Sequence, residues 1–129
     1  MTIPLQVQTS GQGPDLVLLH GWGMHSGIWQ TLAEALGQSF RLHRVDLPGH
    51  GRSRHSEKAT DLKAWSESVA TTMRSRLAGP AYWCGWSLGG MVATQLAHDY
   101  PQLVKQLILV AASLRFCQTH DWHDAVAPE

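Results

Sequence analysis

The sequence is poor in cysteine, tyrosine and phenylalanine, has no excess of either charge, and contains no long apolar run. Two cysteines among 129 residues, Cys84 and Cys117, make no disulfide framework. A reducing cytoplasm is therefore the expected compartment. Ten Lys+Arg are matched by ten Asp+Glu. Without a cationic excess to neutralise phosphates, nucleic-acid binding is excluded as the main activity. The longest unbroken apolar run, Leu107 to Ala112, is six residues, against the roughly 20 that a bilayer-spanning helix needs. No membrane partner is expected. Met1 to Gly13 lacks the basic start and apolar stretch of a secretory signal. Charged residues are only 16% and hydrophobic ones 43%. That balance excludes disorder, which requires high charge and few apolar groups, and the length fits one domain with its own core.

What is present is an alternation of short apolar runs and longer helical patterns. Leu16 to Leu19 is a continuous apolar run closed by His20-Gly21, the pattern of a strand buried on both faces. Gly27 to Leu36 has Ile28, Leu32, Ala35 and Leu36 at helical spacing, with Gly37 as its stop. Phe40 to Leu47 reads as a second strand, and 46–53 is dense in turn formers and reads as a loop. Asp61 is placed to cap a helix running to about Leu77, with Trp65, Val69 and Met73 on one face. Ala81 to Trp86 is a third strand, Leu88 to His98 a third helix halted before Pro101, and Leu107 to Ala112 a further buried strand. A short antiparallel strand is expected around Leu5 to Gln8. Strands alternating with helices predict an α/β fold, doubly wound: a mostly parallel sheet with right-handed crossovers and helices on both faces.

Gly85-Trp86-Ser87-Leu88-Gly89 matches G-x-S-x-G between a predicted strand and a predicted helix. In that setting the turn is sharp and strained, and it presents the Ser87 hydroxyl at a helix N-terminus. A Cβ at Gly85 or Gly89 would collide with the neighbouring strand or helix. The helix dipole and its free N–H groups favour a developing oxyanion. Acyl transfer needs two backbone N–H donors aimed at one oxygen. Leu88, the residue after the serine, is expected to supply one, and Trp22, in the His20-Gly21-Trp22-Gly23 loop, the other.

These segments, with Asp46-Leu47-Pro48-Gly49-His50-Gly51-Arg52-Ser53 between them, resemble the α/β-hydrolase superfamily. Trp22 and Trp86, the latter just before the serine and followed by Leu-Gly-Gly, are similar to the pimeloyl-acyl-carrier-protein methyl ester esterases of biotin synthesis. The likeness runs from about residue 11 to 122. It implies a serine carboxylesterase with Ser87 as nucleophile, and Trp22, Leu88 and Trp86 at the oxyanion and substrate-binding site. It implies no metal and no organic cofactor. The substrate would be an ester, carried by acyl carrier protein or a small molecule, and the full-length form a monomer. A short-chain esterase, a thioesterase, a C–C hydrolase, or a non-catalytic remnant that binds a partner are the alternatives.

A serine needs a base and the base an orienting acid. In the resembling superfamily both follow the serine on later strands, and members are about twice this long. The chain is therefore expected to be the N-terminal half, a single partial core domain over 1–129, and inactive alone. His98 lies about ten residues down the helix, roughly 15 Å along its axis, out of reach. His120-Asp121-Trp122-His123-Asp124 reads as the polar start of a cap rather than a makeshift dyad or metal pair. Arg41, His43, Arg44, His50, Arg52, Arg54 and His55 read as a solvated strand edge and loop, with contact to an acidic carrier as the second reading. Asp46 reads as a loop-orienting residue, His20 as structural, Cys84 as an inert core thiol, and Trp29 and Trp65 as packing residues. Left as an edge, the last strand would make the chain marginally stable or self-associating.

Overall fold

Apolar runs become strands here because each can bury side chains on both faces of one sheet. The computed structural model describes residues 4–53 and 61–112. Its elements are β1 (Val7–Gly11), β2 (Asp15–Leu19), a 3₁₀ turn (Ser26–Trp29) leading into α1 (Gln30–Leu36), β3 (Arg41–Val45), α2 (Leu62–Arg74), β4 (Ala81–Trp86), α3 (Leu88–Asp99) and β5 (Val104–Val110). Among the described residues they form one five-stranded sheet in the order β1-β3-β2-β4-β5. β3, β2, β4 and β5 are mutually parallel, and β1 pairs antiparallel with β3, Val7 facing Val45 and Gly11 facing Arg41.

Helices cover both faces. Val69, Ala70 and Met73 of α2 and Val92, Ala93 and Leu96 of α3 meet Val17, Leu19, Val45 and Trp83 in one buried cluster. On the other face Trp29 and Ala33 close over Leu16, Leu18, Leu42 and Cys84. Each fully buried Leu or Val contributes about 1.5–3 kcal/mol. The Trp83 indole N–H donates to the Leu103 carbonyl at 3.0 Å, so its burial leaves no orphaned donor. Asp61 caps α2 as its position predicts, its carboxylate accepting from the Ala64 N–H at 2.7 Å.

The first helix starts as a 3₁₀ turn and is α-helical only from Gln30, α2 ends at Arg74 rather than Leu77, and three strand boundaries also differ from the sequence expectation. β1 runs Val7–Gly11 rather than Leu5 to Gln8, because pairing with β3 selects the register. Leu5 is buried instead, with its N–H donating to Thr72 Oγ1 at 3.0 Å. β5 begins at Val104 and ends at Val110 rather than spanning Leu107 to Ala112, since its ladder with β4 starts at Ala81–Val104. The second strand is Arg41–Val45, shorter than Phe40 to Leu47.

The order places β2 between β3 and β4. The chain leaves β2 toward β3 on one side and later returns to β4 on the other. A crevice opens at the carboxyl ends of strands where the order reverses in this way. The loops that follow β2, β3 and β4 all meet there.

Candidate active site

Ser87 sits at φ 54°, ψ −115°, at the junction of β4 and α3. A side chain in that sparsely populated region costs of order 1–3 kcal/mol and persists only where its surroundings enforce it. Here they do. The Ser87 N–H donates to the Val110 carbonyl at 2.9 Å, and the Ser87 carbonyl accepts from the Gly90 N–H at 2.9 Å. A Cβ on Gly85 would lie 2.4 Å from the Gly89 carbonyl oxygen, and one on Gly89 would lie 2.3 Å from that of Leu19. The expected collisions are therefore present, with the helix at Gly85 and with β2 at Gly89. Leu88 is the first residue of α3, and a first-turn N–H has no partner within its helix.

The loop after β2 lies alongside. A Cβ on Gly21 would stand 3.6 Å from Ser87 Cβ and 3.4 Å from the Trp86 carbonyl oxygen. Trp22, Ser87, Leu88 and Met91 line one hollow of about 400 Å³, apolar apart from the serine. A second hollow, of about 210 Å³, shares Trp22, Leu88 and Met91 and adds Asp61, Leu62 and Trp65. Three of the four residues singled out in the sequence thus share one cavity wall. Trp86 does not line it; half-buried, it packs on the α1 face with Tyr82, against Leu16, Leu18 and Cys84. Trp65, read as a packing residue, stacks on Trp22 with centroids 6.3 Å apart and rings 7° from parallel.

The loop after β3 ties these parts together. His20 is fully buried; its Nε2 accepts from the Leu47 N–H at 3.0 Å and its Nδ1 donates to the Gly21 carbonyl at 2.8 Å. Burial pushes the His20 imidazole below its usual range, against the Gly21 carbonyl, which favours the charged ring. His50 makes the same kind of bridge in reverse: Nε2 accepts from Gly23 N–H and Nδ1 donates to the Pro48 carbonyl, each at 2.9 Å. Both nitrogens of both rings are thus engaged with backbone. Asp46, buried, accepts from Ser26 N–H at 2.7 Å and Arg52 N–H at 3.1 Å, the loop-orienting part its sequence position suggests.

The basic stretch is only in part the solvated edge and loop it resembled. His43, Arg44 and His50 are buried, whereas Arg41 and Arg52 are exposed. Arg44 donates to Gln30 Oε1 at 2.8 Å and to Ser10 Oγ at 3.2 Å. Cys84 is a buried free thiol that burial pushes up in pKa. Arg54, His55, Cys117 and the His120–Asp124 cluster lie outside the described residues. Within the described residues no helix is long and apolar enough to cross a membrane.

A family profile described as alpha/beta hydrolase fold matches residues 14–127. The chain is 51% identical over 119 residues to the pimeloyl-acyl-carrier-protein methyl ester esterase of Nitrosomonas europaea, covering 92% of this chain and 45% of that one. It is 46% identical over 122 residues to the esterase of the same name from Vibrio vulnificus, covering 95% and 46%. Among solved structures, a thermophilic esterase from Thermogutta terrifontis superposes with a TM-score of 0.82 at 27% identity, over 91% of this chain and 43% of that one. An esterase from Exiguobacterium antarcticum gives 0.88 at 23% identity, over 95% and 47%, a likeness of fold. This chain spans less than half the length of each.

Proposed function

The chain belongs to the alpha/beta hydrolase fold family, and from that premise we propose that it is the N-terminal half of a serine carboxylesterase acting on pimeloyl-acyl-carrier-protein methyl ester. The observation that carries the reading is Ser87: strained at φ 54°, at the mouth of α3, on the wall of an apolar hollow with Trp22 and Leu88. Residues 1–129 are one partial core domain in this reading, and the protein works in the cytoplasm of a cell that makes biotin. The 51% identity to an esterase of that name supports the substrate class.

The chemistry assigns Ser87 as the nucleophile on the ester carbonyl. The Trp22 and Leu88 N–H groups receive the oxyanion, where each preorganised donor is worth about 10²–10³ in rate. Met91 and the Trp22 indole flank the acyl chain, and Trp86 supports the serine turn from the α1 face. The base and acid belong to a later segment. His20 and His50 cannot serve as the base while both of their ring nitrogens bond backbone groups. Met91, three residues past Leu88 on α3, is brought to the cavity by the fold.

A fluorophosphonate probe tests the assignment. The chain alone is expected to label weakly. Adding the C-terminal half of the Nitrosomonas europaea relative is expected to raise labelling, with Ser87→Ala abolishing it, and to release methanol from the carrier-bound methyl ester. Strong labelling of the chain alone would place a base within these residues. Preference for a thioester over a methyl ester would move the reading to another hydrolase of the same fold.

A further inference from the structure

We propose that His50 is a positioning residue for the oxyanion loop, holding the Trp22 corner through Gly23; this rests on the reading of Trp22 as an oxyanion donor. Trp22 and Gly23 are the central residues of a turn closed by Met24 N–H donating to the Gly21 carbonyl at 3.2 Å. Gly23 has φ +73°, the positive value that the third residue of a type II turn requires. Nothing lies within 4 Å of where its Cβ would be, so glycine is needed there for backbone conformation and not for space. Turning the Trp22–Gly23 peptide over would convert the corner to type I and point the Gly23 N–H away. His50 Nε2, accepting that N–H at 2.9 Å, selects one orientation.

The acceptor is itself fixed. His50 Nδ1 faces the Pro48 carbonyl at 2.9 Å. A carbonyl only accepts, so Nδ1 carries the proton and Nε2 keeps its lone pair. The ring also packs edge-on to Trp22 at 5.3 Å and 77°, and to Trp65 at 5.7 Å and 80°. This matters because Trp22 is 71% exposed. Burial does not hold its indole; ring contacts with His50 and Trp65 do. One side chain, from the loop after a different strand, therefore sets the plane of the peptide following Trp22 and the wall shared by the two hollows. A displacement of about 1 Å at such a donor is enough to lower turnover by about a hundredfold.

The test uses the complemented protein and three chains: wild type, His50→Ala and His50→Gln, whose side-chain carbonyl can accept the same N–H. On a short p-nitrophenyl ester, His50→Ala is expected to lower kcat about tenfold to a hundredfold and to change KM less than about threefold. His50→Gln is expected to recover most of that loss. In ¹⁵N–¹H spectra the Gly23 amide proton should move upfield in His50→Ala and return in His50→Gln. His50 ring nitrogens in the wild type should report the Nδ1–H tautomer. Equal kcat and an unmoved Gly23 amide in His50→Ala would overturn the proposal, as would a Gln variant no better than Ala in both readouts. Activity that survives Ser87→Ala would instead overturn the esterase reading, and the Gly23 amide would still report whether His50 holds the turn.

Discussion

Among the described residues β1 and β5 form the two margins of the sheet, and they are built differently. β1 (VQTSG) is short, polar in its middle, antiparallel to its neighbour, and ends on Gly11 at φ +88°. It is also stitched inward. Thr9 Oγ1 lies 3.0 Å from Nδ1 of the buried His43, whose Nε2 meets Asp15 Oδ1 at 2.8 Å, and Asp15 Oδ2 accepts from Ala78 N–H at 3.2 Å. β5 (VKQLILV) has the composition of a strand buried on both sides, yet Ile108, Leu109 and Val110 are 42%, 45% and 43% exposed. A margin made of polar residues is finished by its own sequence; one made of aliphatics is suited to a further neighbour. The chain spans less than half the length of its relatives, and bare aliphatics on β5 are consistent with the proposed reading of a partial core domain.

The strongest way to break this contrast is to charge each margin. Leu109→Lys in β5 is expected to lower complementation-dependent labelling of Ser87 by more than about a hundredfold, a free-energy change of about 2.8 kcal/mol. Thr9→Lys in β1 should leave it within about threefold. Equal losses would erase the distinction. On size-exclusion chromatography the chain alone is expected to elute as associated species, and Leu109→Lys to shift it toward the monomer.

Truncation sharpens the comparison further. Leu19→Ala, in the fully buried middle of the sheet, should destabilise by about 3 kcal/mol, whereas Leu109→Ala should cost under about 1 kcal/mol. Denaturant midpoints measure both, and similar values would mean that β5 is already covered. Thr9→Ala removes one side-chain hydrogen bond and is expected to cost about 0.5–1.5 kcal/mol.

Of the two margins, acid should loosen β1 before β5. Burial pushes the Asp15 carboxyl up, but the hydrogen bond from His43, the Ala78 N–H and the charges of His43 and Arg41 outweigh it and leave the pKa below 3.8. A carboxyl whose folded pKa is depressed stabilises fully above its unfolded value and loses that contribution as pH falls through the folded one. Amide exchange in β1 is therefore expected to quicken below about pH 3.8 more than in β5, and Asp15→Asn to remove the difference. His20 acts nearer neutrality. Its folded pKa lies below 6.5, so the unfolded chain takes up the proton first and stability falls as pH drops below 6.5. Urea melts at pH 7.5 and 5.5 should show that fall, and His20→Asn should flatten it.

Much of the site was legible because it is local. The strand Ala81–Trp86, the turn at Ser87 and the helix from Leu88 lie where the motif predicted, since steric exclusion at Gly85 and Gly89 operates within a few residues. The bridges around it were not legible. His50 to Gly23, Asp46 to Ser26 and Trp22 on Trp65 join segments far apart in the chain, and such contacts leave no period or spacing. His43 and Arg44 looked solvated because their charge suggested a surface. Their burial follows from β3 lying between β1 and β2, where pairing on both sides overrides the polarity of single residues.

Apolar periodicity and glycine placement were enough to specify the alternating parallel architecture and the sharp serine turn, because they act through bonds and immediate neighbours. Which loops converge on that turn, which histidines are closed off by backbone partners and which described strand carries bare aliphatics emerge only when the sheet is assembled. Those are consequences of strand order, and strand order is chosen by the burial of the whole sheet rather than by any one segment of it.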